Sequence, residues 1–168
     1  RSAMPSVIAR RLCPDLIFVK HNFDRYNEVS SIVFGIFKEY TDIVEPLSID
    51  EAFLDVTIDK KMIGSATIIA KRIRSEIKQK TGITASAGIS VNKFLAKIAS
   101  DINKPDGLFL IKPDEAQKFI ENLPVEKFSG IGKITALKMH KLGIHKGSDL
   151  KNWDLVSVVR NFGKDGHF

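Results

Sequence analysis

The 168-residue chain has a single cysteine, Cys13, which excludes an internal disulfide. Its four histidines, His21, His140, His145 and His167, stand without any Cys-x-x-Cys pair, which excludes the common zinc modules. No apolar run approaches about 18 residues, so the sequence contains no membrane-spanning helix. There is no internal repeat and no low-complexity tract. The first residue is Arg1 rather than Met, no signal-peptide pattern follows it, and we expect the chain to be a piece of a longer protein. What is present is the balance of a soluble globular protein: 43% hydrophobic and 27% charged residues, which excludes wholesale disorder. A chain of roughly 150 residues buries about 70% of its unfolded surface, so a core can form without staples.

The formal net charge of +6 is unevenly placed. Residues 1–64 carry 8 Lys/Arg against 10 Asp/Glu, residues 65–112 carry 9 against 3, and residues 113–168 carry 9 against 7. A basic middle third suggests a polyanionic partner, phosphates first; a lysine-rich solvated surface would look the same.

Phe23, Tyr26, Val29, Val33, Phe37 and Tyr40 recur at helical spacing and predict a buried amphipathic helix. Residues 41–47 read as a strand, with Pro46 marking an edge or bulge. Residues 52–58 alternate as a second strand. Ser65 caps a helix running to about Lys80, striped by Ile69, Ile73 and Ile77 and stopped by Gly82. Residues 83–91 alternate again, with the small face Thr84, Ser86, Gly88 and Ser90 leaving room for close packing. Asn92 caps a helix to about Asn103, which puts Phe94, Leu95, Ile98, Ala99 and Ile102 on one side and Lys93 and Lys97 on the other. Residues 108–111 form a short strand. This order implies an α+β fold, a mixed or antiparallel sheet with helices on one face. From Pro113 onward only short helices broken by Gly and Pro are expected, so a small all-α domain begins near residue 112.

Three segments could carry chemistry. In SIDEAFLD, residues 48–55, Asp50 and Glu51 are adjacent carboxylates between apolar strands. Neighbours in a regular strand face opposite ways, but at a strand junction both can turn to one hard cation such as Mg²⁺. Phosphoryl-transfer sites often use two such ions about 3.5–4 Å apart. A bare Asp-Glu pair is more often a polar hairpin tip. In NKFLAKIASDINKPDG, residues 92–107, Lys104 stands before Pro105 near a turn, where its ammonium could meet a phosphate; a solvated lysine face is the plain alternative. In FSGIGKITALKMHKLGI, residues 128–144, a Gly-x-Gly turn enters a helix. The N–H groups around Ile131, Gly132 and Lys133 then form an anion site, with Lys133, Lys138 and Lys141 nearby, unless the glycines serve only the turn.

Together, RSAMPS at residues 1–6, SIDEAFLD, TASAGISVNKFLAKIASDINKPDG at residues 84–107 and the helix-hairpin-helix at residues 128–144 resemble the palm and thumb of a Y-family translesion DNA polymerase, in the DNA polymerase IV (DinB-like) branch. The resemblance implies a division into the end of the fingers (1–21), an incomplete catalytic palm (22–112) and an incomplete thumb (113–168). It implies template-directed DNA synthesis past damaged bases, with two Mg²⁺ ions as cofactors, primer-template DNA and deoxynucleoside triphosphates as partners, a sliding clamp bound through a region outside this chain, and a bacterial-type cytoplasmic location. Asp50 then matches the carboxylate that bridges the two ions. Glu51 matches the ligand of the ion that activates the primer 3′-hydroxyl, Lys104 a triphosphate contact, and Gly130, Ile131, Gly132 and Lys133 the hairpin that grips the duplex.

Departures accompany the match. The family's opening strand, with a further metal-binding Asp, its steric-gate aromatic and a Tyr/Arg pair, is absent from this sequence, and Ser129 stands where proline is common. The 168 residues alone are therefore expected to be inactive. Two other classes keep the same residues in view: a non-catalytic helix-hairpin-helix DNA-binding module, and a palm-type nucleotide cyclase, which would need no thumb.

Overall fold

The computed structural model describes residues 4–167; the first three residues of the RSAMPS match and Phe168 lie outside them. After α1 (Ser6–Leu12), the long helix α2 (Phe23–Tyr40) begins where the Asn22 side chain accepts the Arg25 amide, and buries Val33, Ile36, Phe37 and Tyr40. Phe23 and Tyr26, part of the expected stripe, are exposed, and Tyr26 lines an open cleft. Helix α3 (Ala66–Thr81) is capped by Ser65 and ends at Gly82, whose φ of +76° is the left-handed conformation glycine adopts without cost. Its Ile69, Ile73 and Ile77 pack on the α2 stripe, joined by Val44, Leu54, Val56 and Ala85, and this is the largest apolar cluster.

The strands are shorter than the alternation suggests. β1 (Ile43–Pro46) and β2 (Ala52–Asp55) form an antiparallel hairpin with Ile43 opposite Asp55 and Pro46 opposite Ala52. β3 (Ala87–Ile89) and β4 (Leu108–Leu110) form a parallel pair with Ala87 opposite Leu108. β2 and β3 are not hydrogen-bonded to each other, so the mixed sheet is realised as two separate ladders, and among the described residues the outer residues of the 52–58 and 83–91 runs join neither ladder.

Between β3 and β4 runs α4 (Lys93–Ile102), started by the Asn92 side chain accepting the Leu95 amide at 2.9 Å. It lies so close to β3 that a Cβ on Gly88 would sit 2.0 Å from the Ala96 carbonyl oxygen and 2.3 Å from the Ser100 nitrogen. The small face of residues 84–90 is filled by this helix.

Beyond residue 112 the chain is helical: α5 (Pro113–Asn122), a 3₁₀ turn (Val125–Lys127), α6 (Lys133–Lys141), α7 (Gly147–Lys151), α8 (Leu155–Phe162) and a closing 3₁₀ segment (Gly163–His167). Val125, Met139 and Ile144 centre its core. Ala116, Phe119 and Ile120 of α5 pack instead on Leu95, Ala99 and Ile111, so an apolar cluster crosses residue 112. Helix α1 was not foreseen: it buries no residue and so leaves no apolar stripe in the sequence. No helix among the described residues is long and apolar enough to cross a membrane.

Candidate active site

The loop between β1 and β2 is a tight turn in which the Leu47 and Ser48 amides both donate to the Glu51 carbonyl, at 2.9 and 3.2 Å. Within it the Ser48 hydroxyl donates to Asp50 Oδ1 at 2.6 Å and accepts the Asp50 amide at 3.3 Å. This local lock takes Asp50 out of strand geometry, so that Asp50 and Glu51 both line one cleft rather than opposite faces of a sheet. The cleft, about 1160 Å³, opens between the two ladders.

Helix α4 forms the facing wall. Lys97 Nζ donates to Glu51 Oε1 at 2.6 Å, and one turn earlier Lys93 pairs with Glu45 of β1 while its ammonium lies 6.0 Å from the centre of the Phe53 ring. The i, i+4 spacing places both lysines on the side of α4 that meets the hairpin. Both are thus paired with carboxylates of the hairpin, Lys97 half-buried and Lys93 exposed.

Lys104 follows α4, and its ammonium lies 2.6 Å from Asp101 Oδ1. The hydrogen bond to Asp101 raises its pKa above the usual lysine value, partial burial opposes this, and the charges of Asp101, Glu51 and Asp50 add to the rise. The structure therefore brings Asp50, Glu51 and Lys104 together across 54 residues of sequence. Among the described residues no hydrogen bond reaches Asp50 Oδ2 or Glu51 Oε2, which leaves a free carboxylate oxygen on each. Two exposed or half-exposed carboxylates are the donor type a hard divalent cation takes. They fit in kind and fall short in number, since no group of three His, Cys, Asp or Glu side chains among the described residues could hold a metal.

The second predicted site needs one correction. At the turn into α6 the Ile131 amide is not free: it donates to the Phe128 carbonyl at 3.1 Å, because Gly130, at φ +90°, folds the chain back on itself. The unpaired N–H groups begin at Gly132, the N-cap of α6. Lys133 is exposed there, whereas Lys138 turns to α8, donating to the Asn161 carbonyl with its ammonium 5.2 Å from the Phe162 ring centre. A Cβ on Gly130 or Gly132 would meet nothing within 4 Å, so this hairpin is open to a large partner.

Sequence reasoning missed the roles of Ser48 and Lys97. Ser48 stands two residues before an aspartate, a recognisable local turn pattern. Lys97 carried no comparable signal, since its carboxylate partner lies 46 residues away.

A family model described as the impB/mucB/samB family matches residues 1–101, and one described as the IMS family HHH motif matches residues 113–144. The chain is similar to DNA polymerase IV 3 of Mesorhizobium japonicum, 57% identical over 166 residues that cover 99% of this chain and 46% of the relative. DNA polymerase IV of Gluconobacter oxydans is 53% identical over 168 residues, 100% of this chain and 47% of the relative. Among solved structures, DinB from Sulfolobus solfataricus superposes with a TM-score of 0.90 at 34% identity, covering 98% of this chain and 49% of that one. The insertion ternary complex of Dbh DNA polymerase gives 0.88 at 34% identity, with 98% and 48% covered. The chain spans about half the length of the curated relatives it matches.

Proposed function

The chain belongs to the impB/mucB/samB family, and on that premise we propose that it supplies part of the catalytic palm and DNA-gripping thumb of a low-fidelity, DNA polymerase IV-like translesion enzyme. The observation that carries this reading is the meeting of Asp50, Glu51, Lys97 and Lys104 in one cleft. The reaction joins the primer 3′-hydroxyl oxygen to the α-phosphorus of a deoxynucleoside triphosphate and breaks the bond to the β-phosphate, so pyrophosphate leaves.

Asp50 and Glu51 would hold divalent cations, Mg²⁺ by preference and two in the complete site. Bound there, such ions favour the deprotonated 3′-hydroxyl and offset the charge of the leaving phosphates. The chain's own residues supply the rest. Ser48 fixes the Asp50 carboxylate by a 2.6 Å hydrogen bond. Lys97 keeps Glu51 compensated at 2.6 Å until a cation competes for it. Lys104, fully charged at neutral pH, attracts the triphosphate into the cleft and orients it.

The resemblance implies a further strand with a third carboxylate. We assign it to the cleft between β2 and β3, whose facing edges carry no ladder partner among the described residues. It would complete both the sheet and the ligand set, and without it the 168 residues alone are inactive. The amides from Gly132 onward and the Lys133 ammonium hold duplex phosphates without reading sequence, with Gly130 giving the turn its shape. Primer-template DNA and deoxynucleoside triphosphates are the partners, and a sliding clamp would be bound elsewhere in the full-length protein.

The test is primer extension by the full-length protein. Asp50→Ala and Glu51→Ala should each lower kcat by about 10³-fold or more while primer-template affinity holds, since a transition-state contact is removed rather than a ground-state one. Extension at wild-type rate by either variant would overturn the assignment.

A further inference from the structure

Arg74 lies on α3, outside the carboxylate–lysine cluster, yet its guanidinium reaches the turn from which Lys104 projects. Its Nε donates to the Ala85 carbonyl at 2.7 Å, and its Nη2 donates to the Asp106 carbonyl at 2.5 Å and to Asp106 Oδ1 at 2.7 Å. The side chain is only 19% exposed. A planar guanidinium presents its N–H donors in a fixed fork, so it holds acceptors on two segments in a set geometry, which the single rotatable ammonium of a lysine does not impose. The bridge joins α3, the residues leading into β3, and the turn between α4 and β4.

That turn is held from several sides. Asn103 Nδ2 donates to the Leu108 carbonyl at 2.9 Å, the Gly107 amide to the Ser86 hydroxyl at 3.1 Å, and the Ala87 amide to the Gly107 carbonyl at 2.9 Å. Gly107 packs so tightly that a Cβ there would lie 1.8 Å from the Asn103 carbonyl oxygen. Asp106 sits at φ +48°, a left-handed conformation that a non-glycine residue keeps where its surroundings impose it. Arg74 is the residue that grips Asp106 by both backbone and side chain. Among the described residues Lys104, two residues earlier, bonds to Asp101 alone; Asp101 holds its ammonium, and this turn sets the direction in which its side chain leaves the backbone.

We propose that Arg74, by clamping Asp106, is a positioning residue that aims Lys104 at the triphosphate. The inference rests on the reading of Lys104 given above, and the two are separable by experiment.

The experiment is steady-state single-nucleotide incorporation by the full-length protein carrying Arg74→Ala, Asp106→Gly, Lys104→Ala or Arg74→Ala with Lys104→Ala. Glycine keeps the φ of Asp106 while removing its carboxylate. Arg74→Ala should raise the nucleotide KM about 10-fold with kcat changed less than about 3-fold and primer-template affinity unchanged. Asp106→Gly should raise KM about 3-fold, since the backbone contact to Arg74 remains. In the Lys104→Ala background, loss of Arg74 should add less than about 2-fold, the signature of two residues acting as a unit. A normal KM in Lys104→Ala would overturn the triphosphate role and the clamp with it. A raised KM in Lys104→Ala with a normal KM in Arg74→Ala, or an Arg74 effect undiminished without Lys104, would overturn the clamp alone. Should Arg74→Ala fail to fold, Asp106→Gly decides: an unchanged KM overturns the proposal.

Discussion

Glu51 and Lys97 come from opposite walls of the cleft and meet at 2.6 Å. The pair ties the β1–β2 hairpin to α4 and holds a positive charge beside the carboxylate that would take a cation. Because both side chains keep contact with solvent, the ion pair itself contributes only about 0–1 kcal/mol to stability.

Lys97→Gln should therefore do two things. Thermal unfolding should shift by less than about 4 °C, the range that 1 kcal/mol gives in a chain of this size. Mn²⁺ binding to the full-length protein, followed by titration calorimetry without nucleotide, should tighten by about 3-fold or more, since removing roughly 1 kcal/mol of competing attraction gives such a factor. Unchanged or weaker Mn²⁺ binding would show that Lys97 does not compete for Glu51.

Two glycines should respond in opposite directions. Gly88→Ala drives a methyl into the backbone of α4 at Ala96 and Ser100, and should cost about 1–3 kcal/mol by urea denaturation. Gly35→Ala, inside α2 with nothing within 4 Å of its added methyl, should gain about 0.5–1 kcal/mol. Equal effects at the two sites would contradict the tight α4–β3 packing.

Tyr40 is buried and its hydroxyl donates to Glu76. Burial, then the Glu76 hydrogen bond and charge, push its pKa up from 10.0 to about 12. A raised pKa means the neutral phenol is favoured in the folded state, so this contribution is fully present below pH 10 and is lost as pH rises toward 12. Tyr40→Phe should be less stable than the parent by about 1.5–3 kcal/mol at neutral pH, as for a hydrogen bond to a charged group. The gap between the two should narrow across pH 10 to 12. A gap that stays constant to pH 12 would remove the Tyr40–Glu76 bond from the account.

The hairpin before α6 should make DNA binding steeply salt-dependent. Lys133→Ala in the full-length protein should weaken duplex binding to a similar extent for every sequence and reduce the slope of log affinity against log salt by about 0.9, one phosphate contact. Lys138→Ala should leave that slope unchanged, because Lys138 faces α8. Anisotropy titrations at several salt concentrations distinguish the two, and an equal loss for both would contradict the geometry of the turn.

Local signals carried much of the fold. The Ser65 and Asn92 caps and the Gly82 stop are interactions within a few residues, and the helices they bound lie where the sequence places them; the Asn22 cap of α2 went unread. Strand extent was not legible, because a ladder needs a partner and alternation at residues 83–86 says nothing about whether one is present. Helix α1 escaped notice because it buries nothing. In the site, adjacency advertised Asp50 and Glu51, and Pro105 advertised the turn after Lys104. The Lys97–Glu51 and Arg74–Asp106 pairs span 46 and 32 residues and emerge only when α4 and α3 are packed in place. The occupied Ile131 amide could not be read from glycine spacing either, since it depends on how Gly130 bends the chain.

The most direct test of the central claim is anomalous diffraction from Mn²⁺ in crystals of the full-length protein with primer-template DNA and a non-hydrolysable nucleotide. The account predicts manganese bound to carboxylate oxygens of both Asp50 and Glu51, close to the roughly 2.0–2.1 Å at which Mg²⁺ takes oxygen ligands, with Lys97 displaced from Glu51 and Lys104 on the triphosphate. Manganese bound elsewhere, with Glu51 still held by Lys97, would contradict it.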